Sequence, residues 1–180
     1  MLKQAAEFAE SSNMFTLNPY QCYVAAVGVK SAHKNTALLM GAGQGKTLVI
    51  LLMASYLAEH GQPVKIVVLN DVLQAQMVDD QNKILQGAKD IEIVDIRNLS
   101  YKQEKNYHFI IDECDAILKE HAIKFVGEKK EIGVYGLAAV HATCNFSIWM
   151  SATLNRSDRK LLSEAFDMPA EAIIQFESQH

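Results

Sequence analysis

Residues Thr36 to His60 read TALLMGAGQGKTLVILLMASYLAEH. The short apolar run Thr36–Met40 has the composition of a buried strand. A glycine-rich turn follows, and then Lys46 to His60, apolar on almost every side, as a helix enclosed by its neighbours is. Gly61 stops that helix and Pro63 lies just beyond it. A strand, a glycine turn and a helix opening on Lys-Thr form a physical design for holding phosphates. The glycines let the backbone take turns closed to other residues and bring N–H groups inward. The helix N-terminus adds the positive end of its dipole. Gly41, Gly43, Gln44 and Gly45 then form the ATP-binding loop, Lys46 reaches the β- and γ-phosphates, and Thr47 holds Mg²⁺ through its hydroxyl. Met40 stands where the strict pattern G-x-x-x-x-G-K-[ST] has its first glycine. That position starts the turn and contacts no phosphate through a side chain, and Gly41 and Gly43 still supply flexibility.

Outward from this stretch, strand and helix signals alternate. Val64–Leu69 is β-branched and reads as a strand, Asp71–Gln86 as a helix ended by Gly87, and Ile91–Ile96 alternates as a strand does. Tyr107–Ile111 is a strand running into acidic residues. Gly133–Ala142 is expected as a helix, Phe146–Met150 as a strand and Arg156–Phe166 as a helix with a polar face. Such alternation predicts an α/β fold, a mostly parallel central sheet with helices on both faces. Ligands bind such sheets beyond the carboxyl ends of the strands. Three polar motifs fall there: MGAGQGKT after TALLM, DECD after FII and SAT after FSIWM.

The 180 residues suffice for one domain with a sizeable core, and 49% hydrophobic with 21% charged residues is an ordinary globular balance. The net charge of −4 is not the footprint of a chain that grips nucleic acid strongly by itself, so a polyanion contact has to come from a local face. Cys22, Cys114 and Cys144 show no metal-ligand spacing, and their odd number fits a reducing, intracellular setting, cytoplasmic or nuclear. MLKQAAEFAESS has no long apolar core, so no signal peptide is expected. No apolar run reaches the roughly 18 residues of a membrane span; Leu48–Ala54 is the longest and reads as a buried element. No repeat or linker is evident, and a single domain over 1–180 is expected.

The acidic box Asp112-Glu113-Cys114-Asp115 follows the strand ending at Ile111. In an ATPase with a phosphate loop, an acid at the end of a neighbouring strand holds Mg²⁺, usually through water, and the next Glu can deprotonate the attacking water. Asp112 is the metal acid on that reading and Glu113 the base. An acidic helix start, favoured by the helix dipole, is the plainer alternative for the box taken alone.

Taken together, Gln21, GAGQGKT (Gly41–Thr47), DECD (Asp112–Asp115) and SAT (Ser151–Thr153) resemble superfamily 2 helicases and translocases, in particular the first of their two RecA-like domains. The resemblance implies that Gln21, in NPYQ, reads the adenine edge. It also implies that Asp115, Ser151 and Thr153 link the nucleotide state to movement of the domains. Met40 to Leu73, with Asn70-Asp71 and DECDAIL (Asp112–Leu118), is similar to the preprotein-translocating ATPase SecA, where a Met precedes the loop by the same interval. The segment from Asp115 to Ser151 is too short for that family's preprotein-binding insertion, and SAT is the helicase spelling of the third motif.

The DEAD-box segments P-T-R-E-L and T-P-G-R, which contact the nucleic-acid backbone in that family, have no clear match. Asn70–Gln76 sits where the first would fall, which makes Asn70 and Gln74 the candidates for such a contact. The arginines are Arg97, Arg156 and Arg159, none in a motif that senses the γ-phosphate. That arginine is expected from a second RecA-like domain or a partner protein, and the chain alone is expected to be a weak ATPase. Its partners are then RNA or DNA, with two alternatives: a SecA-like motor half acting on polypeptide, or an ATP-binding interaction module activated by a partner. His108, His121 and His141 read as structural or solvated, Cys114 as a small buried filler and Trp149 as core. Glu128–Glu131 reads as a solvated loop. Lys102 and Lys105 read as a weak basic edge. Phe8 and Phe15 are candidates for stacking on adenine and equally for packing.

Overall fold

A computed structural model describes residues 18–85, 90–99, 107–126 (backbone alone at 121–126), 137, 140 and 143–177. The elements alternate as the sequence pattern predicts: α1 (Pro19–Val29), β1 (Asn35–Leu39), α2 (Lys46–Glu59), β2 (Val64–Val68), α3 (Asp71–Ile84), β3 (Ile91–Asp95), β4 (Tyr107–Ile111), α4 (Cys114–Val126), β5 (Cys144–Ser151), α5 (Arg156–Phe166) and β6 (Ile173–Gln175). Single 3₁₀ turns cover Ile96–Asn98 and Ala170–Ala172.

The six strands form one sheet in the order β3-β2-β4-β5-β1-β6, and every pair is parallel. Parallel strands need crossovers, and the helices supply them on both faces. The strand pleat sorts side chains between the two layers. Leu38, Met40, Ile66, Val68, Ile110, Ile148 and Met150 face α1, α2 and Met77 of α3. Ala37, Leu39, Val67, Phe109, Ile111 and Trp149 face α4 and α5. Both sheet faces are therefore covered, which is why the strands read as continuous apolar runs.

Helix α2 lies under the sheet with every residue from Val49 to Ser55 buried, as its all-round apolarity requires. It ends at Glu59, and Gly61 takes the left-handed conformation (φ 77°) two residues later. Met40 is fully buried in the α2-side core, and its N–H donates to the Ser151 carbonyl at 3.0 Å. The first loop position thus continues the strand and fills core volume, which gives a physical reason for Met there. No helix among the described residues is long and apolar enough to cross a membrane. Most of the expected helix Gly133–Ala142, with His141, Lys102, Lys105, Glu128–Glu131, Phe8 and Phe15, lies outside the described residues.

Candidate nucleotide site

Strands β4, β5 and β1 are adjacent, and each carries one of the three motifs at its carboxyl end. The glycine loop leaves β1, the acidic box leaves β4 and SAT leaves β5 between them. The loop turns through Gly43 (φ 74°) and Gly45 (φ 86°), both left-handed. Gly43 faces open space, so its glycine answers to the backbone angle alone. Gly45 answers to two constraints, because a Cβ there would also run into the side-chain amide of Gln21. Gly45 is the N-cap of α2 and offers no side-chain cap, and the first helical turn contains no acid. An uncapped helix start opening on Lys46 and Thr47 is an environment suited to an anion.

Gln21 reaches the loop from α1. Asn18 caps that helix by accepting the Gln21 N–H at 2.8 Å, and Pro19 occupies the first turn. The Gln21 Nε2 donates to the Gln44 carbonyl at 3.2 Å, which joins α1 to the turn of the loop. Asn18 therefore positions Gln21, a role missed in the sequence although Asn-Pro ahead of an apolar run is a helix-start signal.

Across the rim, Asp112 donates its N–H to the Val67 carbonyl at 2.9 Å and accepts from the Glu113 N–H at 2.9 Å. Glu113 sits in the left-handed region (φ 46°), uncommon for a residue with a side chain. From there its Oε1 accepts from the Lys46 Nζ at 2.7 Å. Loop and box, 67 residues apart in sequence, thus meet in one ion pair. The Asp112 carboxyl is pushed up to about 6, chiefly by burial and then by the Glu113 charge, with Lys46 acting in the opposite direction. Cys114 is fully buried in the α4-side core and its thiol is raised well above the usual range by burial, as an inert filler's is.

The third motif closes the group. Ser151 Oγ donates to Asp115 Oδ1 at 2.7 Å, with the Thr153 carbonyl also 2.8 Å away, and accepts from the Thr153 N–H at 3.3 Å. The Asp115–Ser151 contact ties the helix after the box to the end of β5. Thr153 itself is exposed. Three separate contacts form here, Lys46 with Glu113, Gln21 with Gln44 and Ser151 with Asp115, and Asp112 is coupled to Lys46 by charge. Thr47 follows Lys46 in the first turn of α2.

Most of the remaining polar candidates are engaged elsewhere. Asn70 caps α3, its Oδ1 accepting from the Leu73 N–H at 3.0 Å, and Gln74 Nε2 donates to the Ile93 carbonyl at 2.9 Å. Both amides sketched above as backbone contacts for a polymer are thus used within the fold. Arg97 binds the buried Asp95 through two nitrogens, at 3.0 Å and 2.5 Å, and Arg159 Nε donates to the Leu154 carbonyl at 3.2 Å. Arg156 is exposed at the start of α5. His108 packs against Phe146 with ring centroids 5.4 Å apart, and burial lowers its pKa. Trp149 is fully buried and donates its indole N–H to Ser147 Oγ at 2.7 Å.

Comparison with known proteins follows the same lines. Residues 14–132 match the family described as "Type III restriction enzyme, res subunit". No curated protein sequence matches. Among solved structures, the chain is similar to the SWI2/SNF2 ATPase core of Sulfolobus solfataricus, determined with double-stranded DNA (TM-score 0.67, 15% identity, 94% of this chain and 46% of that one). It is also similar to a DEAD box protein from Methanococcus jannaschii (TM-score 0.59, 16% identity, 97% of this chain and 53% of that one). A third is the UvsW helicase from bacteriophage T4 (TM-score 0.61, 17% identity, 98% of this chain and 67% of that one). The chain spans about half the length of the first two. Its all-parallel sheet has the fold of the RecA-like domains of superfamily 2 helicases. Matched over more than half its length, the chain belongs to the type III restriction enzyme res-subunit family.

Proposed function

We propose that the chain is the ATP-binding first motor domain of a helicase-like ATPase, coupling Mg-ATP binding and hydrolysis to nucleic-acid binding or remodelling. The observation that carries this reading is the 2.7 Å contact between Lys46 of the glycine loop and Glu113 of the acidic box. It brings a phosphate-binding cation and a general base into one site. Gly41, Gly43, Gln44 and Gly45 wrap the phosphates, Lys46 neutralises them and Gln21 selects adenine. An amide suits that task because it pairs in both donor and acceptor directions. Glu113 accepts the proton of the attacking water. Asp115, Ser151 and Thr153 carry the state of the site toward the rest of the motor.

Thr47 and Asp112 would hold Mg²⁺, Asp112 partly through water; among the described residues no group of three His, Cys, Asp or Glu side chains could hold a metal. The set fits a cation whose remaining ligands are phosphate oxygens and water. When bound, Mg²⁺ would neutralise charge developing on the phosphates.

A transition-state arginine is the missing part. Arg97 and Arg159 are held by internal partners. The proposed source is a second RecA-like domain or a partner protein, and such a residue is worth about 10³–10⁵ in rate in NTPases of this general kind. The isolated chain is therefore a slow ATPase. Steady-state ATPase assays with RNA, DNA or unfolded polypeptide, and with a second half added in trans, test the reading. Stimulation by nucleic acid supports it. Stimulation by polypeptide alone would move the assignment to a SecA-like motor, and response only to a protein partner would make the chain an activated interaction module. Turnover near 1 s⁻¹ unaided, within the ordinary enzyme range, would show that the chain completes its own site.

A further inference from the structure

We infer that the exposed face of α5 is a polyanion surface, on which Arg156, Arg159 and Lys160 hold the phosphate backbone of a nucleic-acid strand whatever its sequence. This assignment rests on the helicase-like reading above and names the local face that a chain of net charge −4 needs for such a contact. Spacings of three and four residues put Arg159 and Lys160 beside Arg156 on one side of the helix, and Ser163 continues the stripe by a turn. Arg156, Lys160 and Ser163 are exposed and Arg159 is half-buried, while Asp158, Leu162 and Phe166 bury the opposite side.

These charges are poorly compensated. At the same rim, Lys46 and Arg97 are bound to carboxylates at 2.7 Å and 2.5 Å. Among the described residues, neither Arg156 nor Arg159 has a carboxylate partner. The Arg159 Nε bond to the Leu154 carbonyl, at 3.2 Å, fixes the guanidinium and leaves its charge open. Lys160 lies 3.8 Å from Glu164, with side chains 73% and 63% exposed, a solvated pair that a phosphate can displace. The charges also run against the helix, which favours acids at its start and cations at its end. Helix α3 follows that rule, with Asp71 in its first turn and Lys83 in its last. Helix α5 opens on Arg156 and has no basic residue in its last turn, and the Asn155–Asp158 capping box holds its start all the same. Cations kept where they weaken their own helix point to a partner, because local rules are broken where function requires it. The planar fork of arginine suits the oxygens of a phosphate.

Helix α5 leaves the SAT turn at the carboxyl end of β5, so the stripe stands beside the nucleotide site. Arg159 bonds Leu154, the residue after Thr153, and Ser151 bonds both Thr153 and Asp115 of the acidic box. A phosphate that draws on Arg159 therefore acts on the turn that holds the box.

The test is the fluorescence anisotropy of a labelled oligothymidylate titrated with the full chain at several salt concentrations. Each phosphate contact to a single strand contributes about 0.7 to the slope of log affinity against log salt. Arg156→Gln should lower the slope by about that amount and weaken binding about 10-fold at low salt, and adding Lys160→Gln should lower the slope by about as much again. Lys83→Gln, the same charge change on α3, should do neither. Arg156 is exposed and its loss relieves the helix dipole, so the variant should melt no lower than the parent. Equal slopes and affinities in the parent, Arg156→Gln and the double variant would overturn the inference and leave the helicase-like reading in place. Losses of the same size in Lys83→Gln would overturn it as well, since net charge and not this face would then be at work. Polyglutamate bound more tightly than oligothymidylate would overturn it in favour of an acidic protein partner. A parent chain that binds ADP and no oligothymidylate at low salt would remove the nucleic-acid part of the reading and this inference with it.

Discussion

The carboxyl rim of the sheet has two halves that use their polar residues differently. Over β2 and β3, three polar side chains complete local structure. Asn70 caps α3, Gln74 bonds the Ile93 carbonyl, and Arg97 spans Asp95 and Asp71. Over β1, β4 and β5, the backbone is strained and the charges are crowded. Gly43, Gly45 and Glu113 have positive φ, α2 starts without a side-chain cap, and Asp112 has a raised pKa. Left-handed residues and perturbed carboxyls gather at functional sites, because surrounding structure must hold them there. A half-rim that spends its polar groups on local structure stabilises the fold; one that keeps strain and charge has something left for a ligand.

That contrast breaks most visibly in turnover. Glu113→Gln should lower the ATPase rate about 10²–10⁴-fold, the usual weight of a general base, while Gln74→Ala should leave the rate of the isolated chain unchanged. Comparable losses from the two variants in steady-state assays would erase the distinction between the halves.

Next in size is a pH effect. The Asp112 carboxyl is raised from 3.8 to about 6 by burial and the Glu113 charge. Between those values the folded chain keeps a proton that the unfolded chain releases. Asp112 therefore contributes stability below the window that is lost as pH rises through about 6, and its contribution is flat above. Asp112→Asn should remove this slope, so the variant's thermal midpoint should gain on the parent's from pH 4 toward pH 7. Parallel midpoints across that range, followed by calorimetry without nucleotide, would mean that the carboxyl is not perturbed.

The smallest effect belongs to the other half-rim. Asn70→Ala removes a helix cap and should cost about 1 kcal/mol in denaturant unfolding, with ADP affinity unaltered. A large loss of ADP affinity would show that the α3 end is part of the site.

The sequence carried much of this architecture because buried parallel strands and an enclosed helix leave plain apolar runs. The span Arg156–Phe166 matches α5 to the residue, since Asn155 and Asp158 form a reciprocal capping box before a polar-faced helix. The all-round apolarity of Leu48–Ala54 likewise foretold the burial of α2. Three elements were legible in part or not at all. Helix α1 was read only for Gln21, although Asn18 and Pro19 mark its start. Helix α4 entered only as the plainer alternative for the acidic box, an acidic helix start, which is where it begins. Strand β6 has only 3 residues, too few for a period to show. At the site, the residue types were legible and their partners were not. The Gln21–Gln44 and Lys46–Glu113 contacts span 23 and 67 positions and depend on how the sheet orders its strands. The internal roles of Asn70 and Gln74 were likewise invisible, because Gln74 bonds a strand that only the tertiary structure brings beside it.

Calorimetric titration of Mg-ATP into the parent chain and into Lys46→Ala bears most directly on the central claim, that the strained half-rim is a nucleotide site. Saturable binding to the parent, weakened at least about 10-fold by loss of the lysine charge at the phosphates, is the predicted result. Binding indifferent to Lys46→Ala, or no binding to a folded parent chain, would contradict it.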